Sequence, residues 1–364
     1  MDQVLSWLNR QTSKPPYPIY SNTLGIGWAI ADEEAEYPVP HLLPRASDWP
    51  ILPPAYMPIL VNWLLTGKCP LKCVYCYAQD VMQGNYLEPD GELIKRIAEN
   101  ILKVDPLVVV LTGGDPLTSP HLEEAIKLLH HKVGIIVDTS AYSLTSKHIS
   151  MFKKYEVFVR ISLDSEIPRI NNDLRRVLRR PQSNGEQPIT SAEAALNAII
   201  ACVDNGIKVA VQTVATRKNR SDFEALGNTL CKLGVSGWRI LMVAPSANNR
   251  QIYHRLSGDE TSQKRFFGHI VEQLMLRQEN LWHYCMSVQV SSSQFPNAVI
   301  LVAPDGTFLT ESNLERQDSG KIIIDDDYPK TPRLENIRNH VDMFAHTARY
   351  LNSESRAFLV GRKK

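Results

Sequence analysis

The sequence predicts an α/β fold with a mainly parallel sheet. From about residue 57 to residue 245, short apolar runs of strand length alternate with longer segments whose apolar residues recur at helical spacing. This alternation indicates βαβ units, in which each helix returns the chain to begin a parallel neighbouring strand. Six such units are too few for a closed eight-stranded barrel. We therefore expect an open, partial (βα)6 barrel.

Each unit is recognised by an apolar run followed by an amphipathic segment. The predicted strands span residues 59–65, 107–111, 134–138, 157–164, 209–214 and 238–243. The predicted helices lie between consecutive strands and span residues 92–102, 121–130, 146–152, 191–205 and 222–233. In parallel α/β folds ligands bind at the carboxyl ends of the strands, so the residues that follow each strand are the first candidates for a site.

The barrel is predicted to carry an extension at each end. Residues 1–56 are rich in proline and aromatic residues, show weak periodicity and predict one short helix at 2–9. Residues 246–364 predict a small α+β extension with a long helix at 259–278 and a last helix at 334–351. Between these helices, the turn Pro304-Asp305-Gly306 joins residues 298–302 and 307–309 into a hairpin. The chain is thus divided into 1–56, 57–245 and 246–364.

Composition argues against several classes of protein. The net charge is +1, so no overall field favours nucleic acid or a membrane surface. The basic run at residues 175–180 is interpreted as a solvated helix end or loop and not as a nucleic-acid patch. The longest apolar stretch falls well short of the ~20 residues that span a bilayer, and the first residues lack the pattern of a signal peptide.

Cysteine usage indicates a reducing compartment. Three of the six cysteines, Cys202, Cys231 and Cys285, are scattered, and the first two lie in helix-like apolar segments, where they are expected as buried thiols. Spare thiols beside a cysteine cluster favour a cytoplasmic location.

The other three cysteines, Cys69, Cys73 and Cys76, form a C-x3-C-x2-C motif directly after the first predicted barrel strand. Three thiolates this close can hold three corners of a cubane iron–sulfur cluster and leave the fourth iron open, whereas ferredoxin-type clusters use four cysteines. A zinc half-site is an alternative, but no matching pair of ligands follows downstream. A redox CxxC pair would leave Cys69 unexplained.

This motif, with Tyr75 just before the last cysteine, resembles the signature of the radical S-adenosylmethionine (radical SAM) superfamily. The resemblance covers about residues 57–245 and implies a partial (βα)6 barrel of the radical SAM type. It also implies one [4Fe–4S] cluster whose open iron binds the amino and carboxylate groups of S-adenosyl-L-methionine (SAM). One electron then cleaves SAM to a 5′-deoxyadenosyl radical, which abstracts a hydrogen atom from the substrate.

The resemblance implies contacts for the methionine part of SAM. The family's Gly-Gly-Glu motif holds the amino group, and here it reads Gly113-Gly114-Asp115, with a shorter acid. An arginine that pairs with the SAM carboxylate often follows the fourth strand by about a dozen residues. Arg175 and Arg176 both lie in that window, and a planar guanidinium suits a carboxylate better than a lysine does. Arg160 is a third possibility, because strand alternation puts it on the face of Ser162.

The resemblance also implies contacts for the nucleoside. Ser162, in the fourth-strand segment Ser-Leu-Asp, is expected at the ribose, and the backbone around Tyr75 and Tyr77 near the adenine. Gln212 and Thr213 begin a stretch similar to one in cofactor-maturing and peptide-modifying members. Within it, Asn219 is interpreted as a helix N-cap. The segment 238–245 resembles the family's sixth strand, whose end lines the substrate pocket.

The substrate is left open by the sequence. No cysteine follows the C-terminal hairpin, which predicts a single cluster. The expected substrate is a peptide or small metabolite, and the expected electron donor is a reducing partner such as flavodoxin or ferredoxin. Viperin-type members, which modify nucleotides, are an equal alternative, with candidate phosphate-binding residues Arg217, Lys218, Arg220, Arg250 and Arg255. Ordinary surface charge also explains these residues. A different class remains, namely an iron–sulfur sensor or zinc-binding protein without catalysis.

Overall fold

The structure is a computed structural model. It describes residues 17–21, 25–29, 58, 60–76, 78, 88–178, 189–243, 249, 251–258, 287–291, 299–311, 321–323, 341 and 346. Its strands are β1 Tyr17–Ser21, β2 Gly25–Ala29, β3 Leu60–Thr66, β4 Leu71–Cys73, β5 Val108–Gly113, β6 Gly134–Thr139, β7 Phe158–Ser162, β8 Arg175–Val177, β9 Val209–Ala215, β10 Gly237–Met242, β11 Ser287–Ser291, β12 Ile300–Val302, β13 Phe308–Glu311 and β14 Lys321–Ile323.

Seven α-helices lie in the described ranges: α1 Gly91–Lys103, α2 Leu122–Leu129, α3 Ser146–Lys154, α4 Pro168–Leu174, α5 Ser191–Asp204, α6 Phe223–Lys232 and α7 Tyr253–Ser257. Their starts follow local chemistry. Asp90 precedes α1, and its side chain accepts a hydrogen bond of 2.8 Å from the Leu93 amide. Thr190 and Glu193 form a capping box at the start of α5.

The main sheet is mostly parallel, which confirms the predicted fold class. In the part of the chain that the structure describes, its order is β11-β10-β9-β7-β6-β5-β3-β12-β13-β14. The six predicted barrel strands are consecutive neighbours in this order, and all pairs from β11 to β12 are parallel. The last two pairs, β12–β13 and β13–β14, are antiparallel.

Strand alternation divides the side chains between two faces of the sheet. On β3, Val61, Trp63 and Leu65 join the large core that the helices cover. Asn62 and Leu64 alternate with them and lie on the opposite face, which we call the inner face. Leu64 packs there in a separate apolar cluster with Leu301. The helix-covered face thus holds the main core, and the inner face is left for the site.

The C-terminal hairpin is confirmed and is continuous with the barrel. Strands β12 and β13 pair in antiparallel register, and the Ala303 amide donates to the Thr307 carbonyl over 2.9 Å. Strand β12 also pairs in parallel with β3, the first barrel strand. The predicted division of the chain at residue 245 stays a prediction, since the sheet itself continues across it.

Several elements were not predicted. Strands β1 and β2 form an antiparallel hairpin in the N-terminal segment, and β4 pairs with β8 in a separate two-stranded sheet. The helices predicted at 2–9 and 259–278 lie outside the described residues, as does nearly all of 334–351. No helix among the described residues combines the length and apolar character needed to cross a membrane.

Candidate active site

The cysteine motif begins where β3 ends, at the carboxyl edge of the parallel strands. Cys69 follows Thr66 by three residues, Cys73 closes β4, and the Cys76 amide donates to the Cys73 carbonyl over 3.3 Å. All three side chains are partly exposed, and none is in a disulfide. The motif therefore lies where ligands of parallel α/β folds bind.

The base of the cysteine loop is fixed by Gly113 and Gly114. The Gly114 amide donates to the Thr66 carbonyl and the Asp115 amide to the Lys68 carbonyl, both over 2.7 Å. Gly113 has φ +127°, and a Cβ on Gly114 would overlap the Lys68 carbonyl. The resemblance assigns these glycines to the motif that holds the amino group of SAM. The close approach that the structure contains is to the backbone just before Cys69.

Glu88 is a second fixing point that the sequence gave no sign of. Its carboxylate accepts from the Thr66 hydroxyl over 2.7 Å and from the Gly67 amide over 3.1 Å. The Thr66 hydroxyl in turn accepts from the Lys68 amide over 3.1 Å. The two residues that precede the motif are thereby held from both sides.

Asp115 is buried and accepts four hydrogen bonds from the chain. One oxygen accepts from the Leu117 amide over 3.1 Å and the Thr139 hydroxyl over 2.7 Å. The other accepts from the Ser140 amide over 3.1 Å and from the Ser140 hydroxyl. Burial raises the pKa of Asp115, and the bonds from Ser140 and Thr139 oppose that rise. Its contact with the amino group of SAM stays a prediction, and its described contacts join the ends of β5 and β6.

Strand β8 holds the cysteine loop in place by pairing with β4, which lies within that loop. Cys73 lies opposite Arg175 in the antiparallel pair β4–β8. On either side of that pair, the Val74 amide donates to the Leu174 carbonyl over 3.0 Å and the Leu178 amide to the Pro70 carbonyl over 2.8 Å. The loop is therefore built from two segments about a hundred residues apart in sequence.

Arg175 and Asp164 form a buried ion pair beside Cys73. Asp164, which is 0% exposed, accepts from Arg175 Nε over 2.9 Å, Arg175 Nη2 over 3.3 Å and the Val214 amide over 2.8 Å. The Tyr75 hydroxyl also donates to Asp164. Arg175 Nη1 lies 3.9 Å from Cys73 Sγ, and the guanidinium carbon lies 5.5 Å from the centre of the Tyr75 ring.

This pair corrects the interpretation of the basic run as solvated charge. Arg175 is buried because Asp164 neutralises it, whereas its neighbour Arg176 is exposed. Burial opposes the charge on Arg175, but Asp164, Tyr75 and Cys73 together outweigh burial, so the pKa of the guanidinium is raised. Burial also raises the pKa of the Tyr75 phenol well above its usual value. Which of the two arginines meets a SAM carboxylate stays a prediction.

Burial favours the protonated form of the Cys69 and Cys73 thiols. Burial raises the pKa of Cys69 and of Cys73 to about 12, and the Arg175 charge opposes the rise at Cys73. Metal ligation requires the thiolates, so iron binding here releases protons. Among the described residues, no three histidine, cysteine or acidic side chains converge closely enough to hold a single metal ion. A cubane cluster does not need such convergence, because each thiolate binds its own iron.

The inner face near the motif is polar. Ser162 lies opposite Gln212, and Gln212 lies opposite Arg239, on the neighbouring strands β7, β9 and β10. Within the described part of the chain, the Gln212 Oε1 atom is buried and has no hydrogen-bond partner. Arg160 lies two residues before Ser162 on β7 and pairs with Asp138 on β6. Its Nε and Nη2 both bind the carboxylate, and Nη2 lies 2.6 Å from Oδ2. Arg160 was a candidate to bind the SAM carboxylate, and in the structure its guanidinium binds Asp138.

The residues after β9 tie strand ends together. Asn219 is buried and donates to the carbonyls of Asp164 and Val214, over 2.8 Å and 3.0 Å. Its Oδ1 accepts from the amide and hydroxyl of Thr216, both over 2.8 Å. The prediction that Asn219 caps a helix holds for its position and fails for its contacts. Asn219 is the N-cap residue of the 3₁₀ helix Arg220–Asp222, but its side chain makes no capping bond there.

Thr213 and Trp238 belong to the helix-covered core. The Thr213 hydroxyl donates to the Leu163 carbonyl over 2.6 Å and accepts from the Trp238 indole over 2.9 Å. Both side chains are fully buried. They therefore lie on the face opposite Gln212, away from the inner face.

The basic residues proposed for phosphate binding differ in their contacts and exposure. Lys218 pairs with Asp173 over 2.9 Å, and Arg220 donates to the Ser257 carbonyl. Arg217 and Arg255 are exposed, and the Arg217 amide donates to the Leu256 carbonyl over 2.7 Å, so their backbones are close. Tyr77 and Arg250 lie outside the described residues.

Comparison with known proteins gives a family match and several relatives. Residues 63–230 match the family model described as the Radical SAM superfamily. The chain is 24% identical over 222 residues to the mycofactocin maturase MftC of Mycobacterium tuberculosis, covering 59% of this chain and 52% of the maturase. It is also 24% identical over 277 residues to an S-adenosylmethionine-dependent nucleotide dehydratase of a Fibrobacter species, covering 73% of this chain and 77% of the dehydratase. The chain thus spans about half the length of the maturase.

Solved structures share the fold at low sequence identity. Native anSMEcpe with bound AdoMet matches with a TM-score of 0.59 and 13% identity, covering 78% of this chain and 82% of that one. SuiB of Streptococcus suis bound to its precursor peptide SuiA matches with a TM-score of 0.55 and 12% identity, covering 73% and 64%. These likenesses support the fold of the barrel and say nothing about the substrate of this chain.

Proposed function

We propose that this chain, which belongs to the radical SAM superfamily through residues 63–230, cleaves SAM reductively with one [4Fe–4S] cluster and abstracts a hydrogen atom from a peptide or small metabolite. The observation that carries the proposal is the position of the three cysteines. They follow β3 at the edge of the sheet where Ser162 also ends its strand. A cluster bound there would face the polar inner face.

Cys69, Cys73 and Cys76 are the residues that would hold the cluster. The donor set fits, because three thiolates leave one iron open for a ligand. With an electron from the cluster, SAM supplies a primary carbon radical. The chain supplies geometry: the glycine contacts, Glu88 and strand β8 hold the loop against the strand ends, so that the bound groups are oriented for reaction.

Ser162 and Gln212 are the residues that we assign to the SAM ribose. They lie directly opposite each other on adjacent strands, on the same face of the sheet. The buried Gln212 Oε1 lacks a donor among the described residues, and a ribose hydroxyl is a donor of the right kind. A pair of acceptor groups at this spacing suits a vicinal diol.

The test is SAM cleavage by anaerobically reconstituted protein. We expect dithionite and SAM to yield 5′-deoxyadenosine, and Cys73→Ala to abolish it. Cys231→Ala, which alters a partly exposed cysteine on α6 away from the motif, is the matched control and should leave the yield unchanged. Both variants are compared at equal folded protein, followed by circular dichroism.

Three other results contradict the proposal in different ways. Failure of the wild-type protein to bind iron would reject the cluster. Zinc bound in its place would favour a structural metal site. A stable cubane cluster that never cleaves SAM, with or without peptide and nucleotide mixtures, would favour an iron–sulfur sensor.

A nucleotide substrate is the second candidate. This chain covers 77% of the length of the nucleotide dehydratase, against 52% of the maturase. The exposed Arg217 and Arg255 lie on backbone segments that are hydrogen-bonded to each other, which suits a phosphate-binding patch. We expect nucleoside triphosphates to bind by calorimetry and Arg217→Gln to weaken that binding. Equal binding by Lys95→Gln and wild type would exclude a general charge effect.

The reducing partner that we propose is a small acidic electron carrier such as flavodoxin or ferredoxin. Lys68 and Lys72 are exposed immediately beside Cys69 and Cys73, and Arg176 is exposed opposite Lys72. Cations around a redox centre steer an acidic partner to it.

A further inference from the structure

Arg175 is oriented toward a proposed cluster ligand and not only toward Asp164. Its Nε and Nη2 donate to the Asp164 carboxylate, and its third nitrogen, Nη1, lies 3.9 Å from Cys73 Sγ. A guanidinium presents donors in a fixed plane, so two bonds to Asp164 determine where the third nitrogen points. The contact with sulfur is therefore built in by the ion pair.

The surroundings hold this arrangement rigidly. Arg175 and Cys73 are directly opposed residues of β4 and β8, and the Arg175 side chain is 7% exposed. Asp164 is fixed in turn by Tyr75 and by the Val214 amide. A charge so placed is screened much less than a surface charge.

We propose that Arg175 donates an N–H···S hydrogen bond to the Cys73 thiolate in the loaded enzyme and that the Arg175–Asp164 pair sets the reduction potential of the cluster. This rests on the proposed function, because Cys73 must be a cluster ligand. Arg175 acts here as a positioning residue that tunes a ligand and does not itself take part in the reaction.

The sign of the effect follows from charge. Reduction adds an electron to the cluster, so a cation or hydrogen-bond donor at a ligand sulfur favours the reduced state and raises the potential. The Asp164 carboxylate lies on the far side of the guanidinium and offsets part of that effect. The pair thus adds a donor to the sulfur without adding net charge to the site.

The experiment measures the midpoint potential of the cluster by EPR-monitored potentiometry without SAM. We expect Arg175→Met to lower the potential by about 59 mV or more, which corresponds to about a tenfold change in the reduction equilibrium for one electron. We expect Asp164→Asn to raise it. Arg169→Gln, which removes an exposed cation from α4 in the same segment, should leave it unchanged.

A double variant that removes both charges of the ion pair is less prone to misfold than either single variant. Removing one partner alone leaves a buried charge uncompensated. The double variant Asp164→Asn with Arg175→Met has no such charge, and Asn can still accept from the Val214 amide. It removes the donor to sulfur at constant net charge, so its potential should also lie below that of the wild type. A wild-type potential in the double variant overturns the proposal.

A measurement on the wild-type protein is independent of any variant. With ¹⁵N-labelled arginine, pulsed EPR of the reduced cluster should detect a nitrogen coupling, and Arg169→Gln should retain it. Absence of the coupling, or its survival in labelled Arg175→Lys, overturns the proposal. These results differ from a failure of the proposed function, in which the wild-type protein forms no cluster or cleaves no SAM.

Discussion

At the scale of single residues, Gly114 is placed under an unusual constraint. Its α-carbon faces the Lys68 carbonyl so closely that any Cβ would overlap it, and both groups belong to backbone that hydrogen bonds hold in place. We expect Gly114→Ala to displace the segment before Cys69 and to reduce the iron bound per chain several-fold. The measurement is iron and sulfide content after reconstitution, beside the melting temperature.

Gly91→Ala is the matched control for that substitution. A Cβ on Gly91 meets the flexible end of Glu124, at 3.2 Å, and makes an ordinary contact with the His121 ring, at 3.7 Å. Alanine is favoured over glycine in a helix by up to about 1 kcal/mol. This variant should load iron as the wild type does. Normal iron loading by Gly114→Ala would mean that the segment before Cys69 moves freely, contrary to the packing described here.

Gln212 and Thr213 are neighbours on β9 that serve opposite faces, and substitution should separate their roles. Gln212→Leu removes an acceptor that lacks a partner among the described residues, so stability should stay the same or rise. SAM affinity should fall about 5–10-fold, the value of one neutral hydrogen bond of about 1 kcal/mol. Equilibrium dialysis of the reconstituted protein and urea unfolding are the two measurements.

Thr213→Val should lower stability and leave SAM affinity unchanged, which is the reverse of the result expected for Gln212→Leu. It leaves the Trp238 indole without its acceptor in the core, which should lower the free energy of unfolding by about 1–3 kcal/mol. SAM affinity of the folded fraction should be unchanged. If Gln212→Leu lost stability and kept its affinity, the assignment of Gln212 to the ribose would be wrong.

The sequence predicted the candidate cluster ligands better than it predicted the residues whose hydrogen bonds hold those ligands in place. Cys69, Cys73 and Cys76 are adjacent in sequence, so their spacing alone indicates a shared ligand. The side chains of Glu88 and Asp164 bind partners 11 to 89 positions away, and no local pattern encodes these contacts. The bonds of Asn219 to Asp164 and Val214 were missed for the same reason, because they join the ends of two strands, β7 and β9.

At the scale of elements, the β4–β8 pair contains a feature that stability does not explain. Lys72 and Arg176 are exposed, carry like charge and lie directly opposite each other. Such a cross-strand pair is unfavourable. Lys72→Glu should therefore stabilise the pair, and it should also slow reduction of the cluster by an acidic flavodoxin. Stopped-flow reduction and thermal unfolding measure the two effects.

Two controls make that prediction specific. Reduction by a neutral photoreduced deazaflavin should be unchanged in Lys72→Glu, and added salt should reduce the difference between variant and wild type. Lys95→Glu, on the exposed surface of α1, should react with flavodoxin as the wild type does. Equal rates for Lys72→Glu and wild type would reject this surface as the entry point for electrons.

Hydrophobic periodicity predicted the long helices and strands but not the short ones. All six barrel strands and the five helices predicted between them match the structure within a few residues, because each buries a regular apolar stripe, whereas the short helix α4 was not predicted. Strands β4 and β8 contain three residues each, too few to show alternation, and they exist because two distant segments pair. The hairpin β1–β2 was missed because its first strand contains a proline and its second is rich in glycine.

At the scale of the whole molecule, the C-terminal hairpin and the barrel form one sheet. Leu301 is fully buried on β12 and packs with Leu64 of β3. We expect Leu301→Ala to destabilise the protein by about 2–5 kcal/mol in a single unfolding transition that includes the barrel. Urea unfolding followed by both circular dichroism and tryptophan fluorescence measures it.

Leu178→Ala is the control, since that side chain is 52% exposed and its loss should change stability by less than about 0.5 kcal/mol. A separate early transition in Leu301→Ala, with the barrel unaffected, would instead support an independent C-terminal unit beginning near residue 246.

The pairing of Cys73 with a residue 102 positions later has a consequence for biosynthesis. The cysteine motif leaves the ribosome long before strand β8 and Asp164 have been made, so during that interval nothing in β8 can hold its loop. Arrest of translation before residue 164 should yield nascent chains with exposed, alkylatable thiols and no cluster. Cluster delivery is thus expected to follow synthesis of at least the first half of the chain.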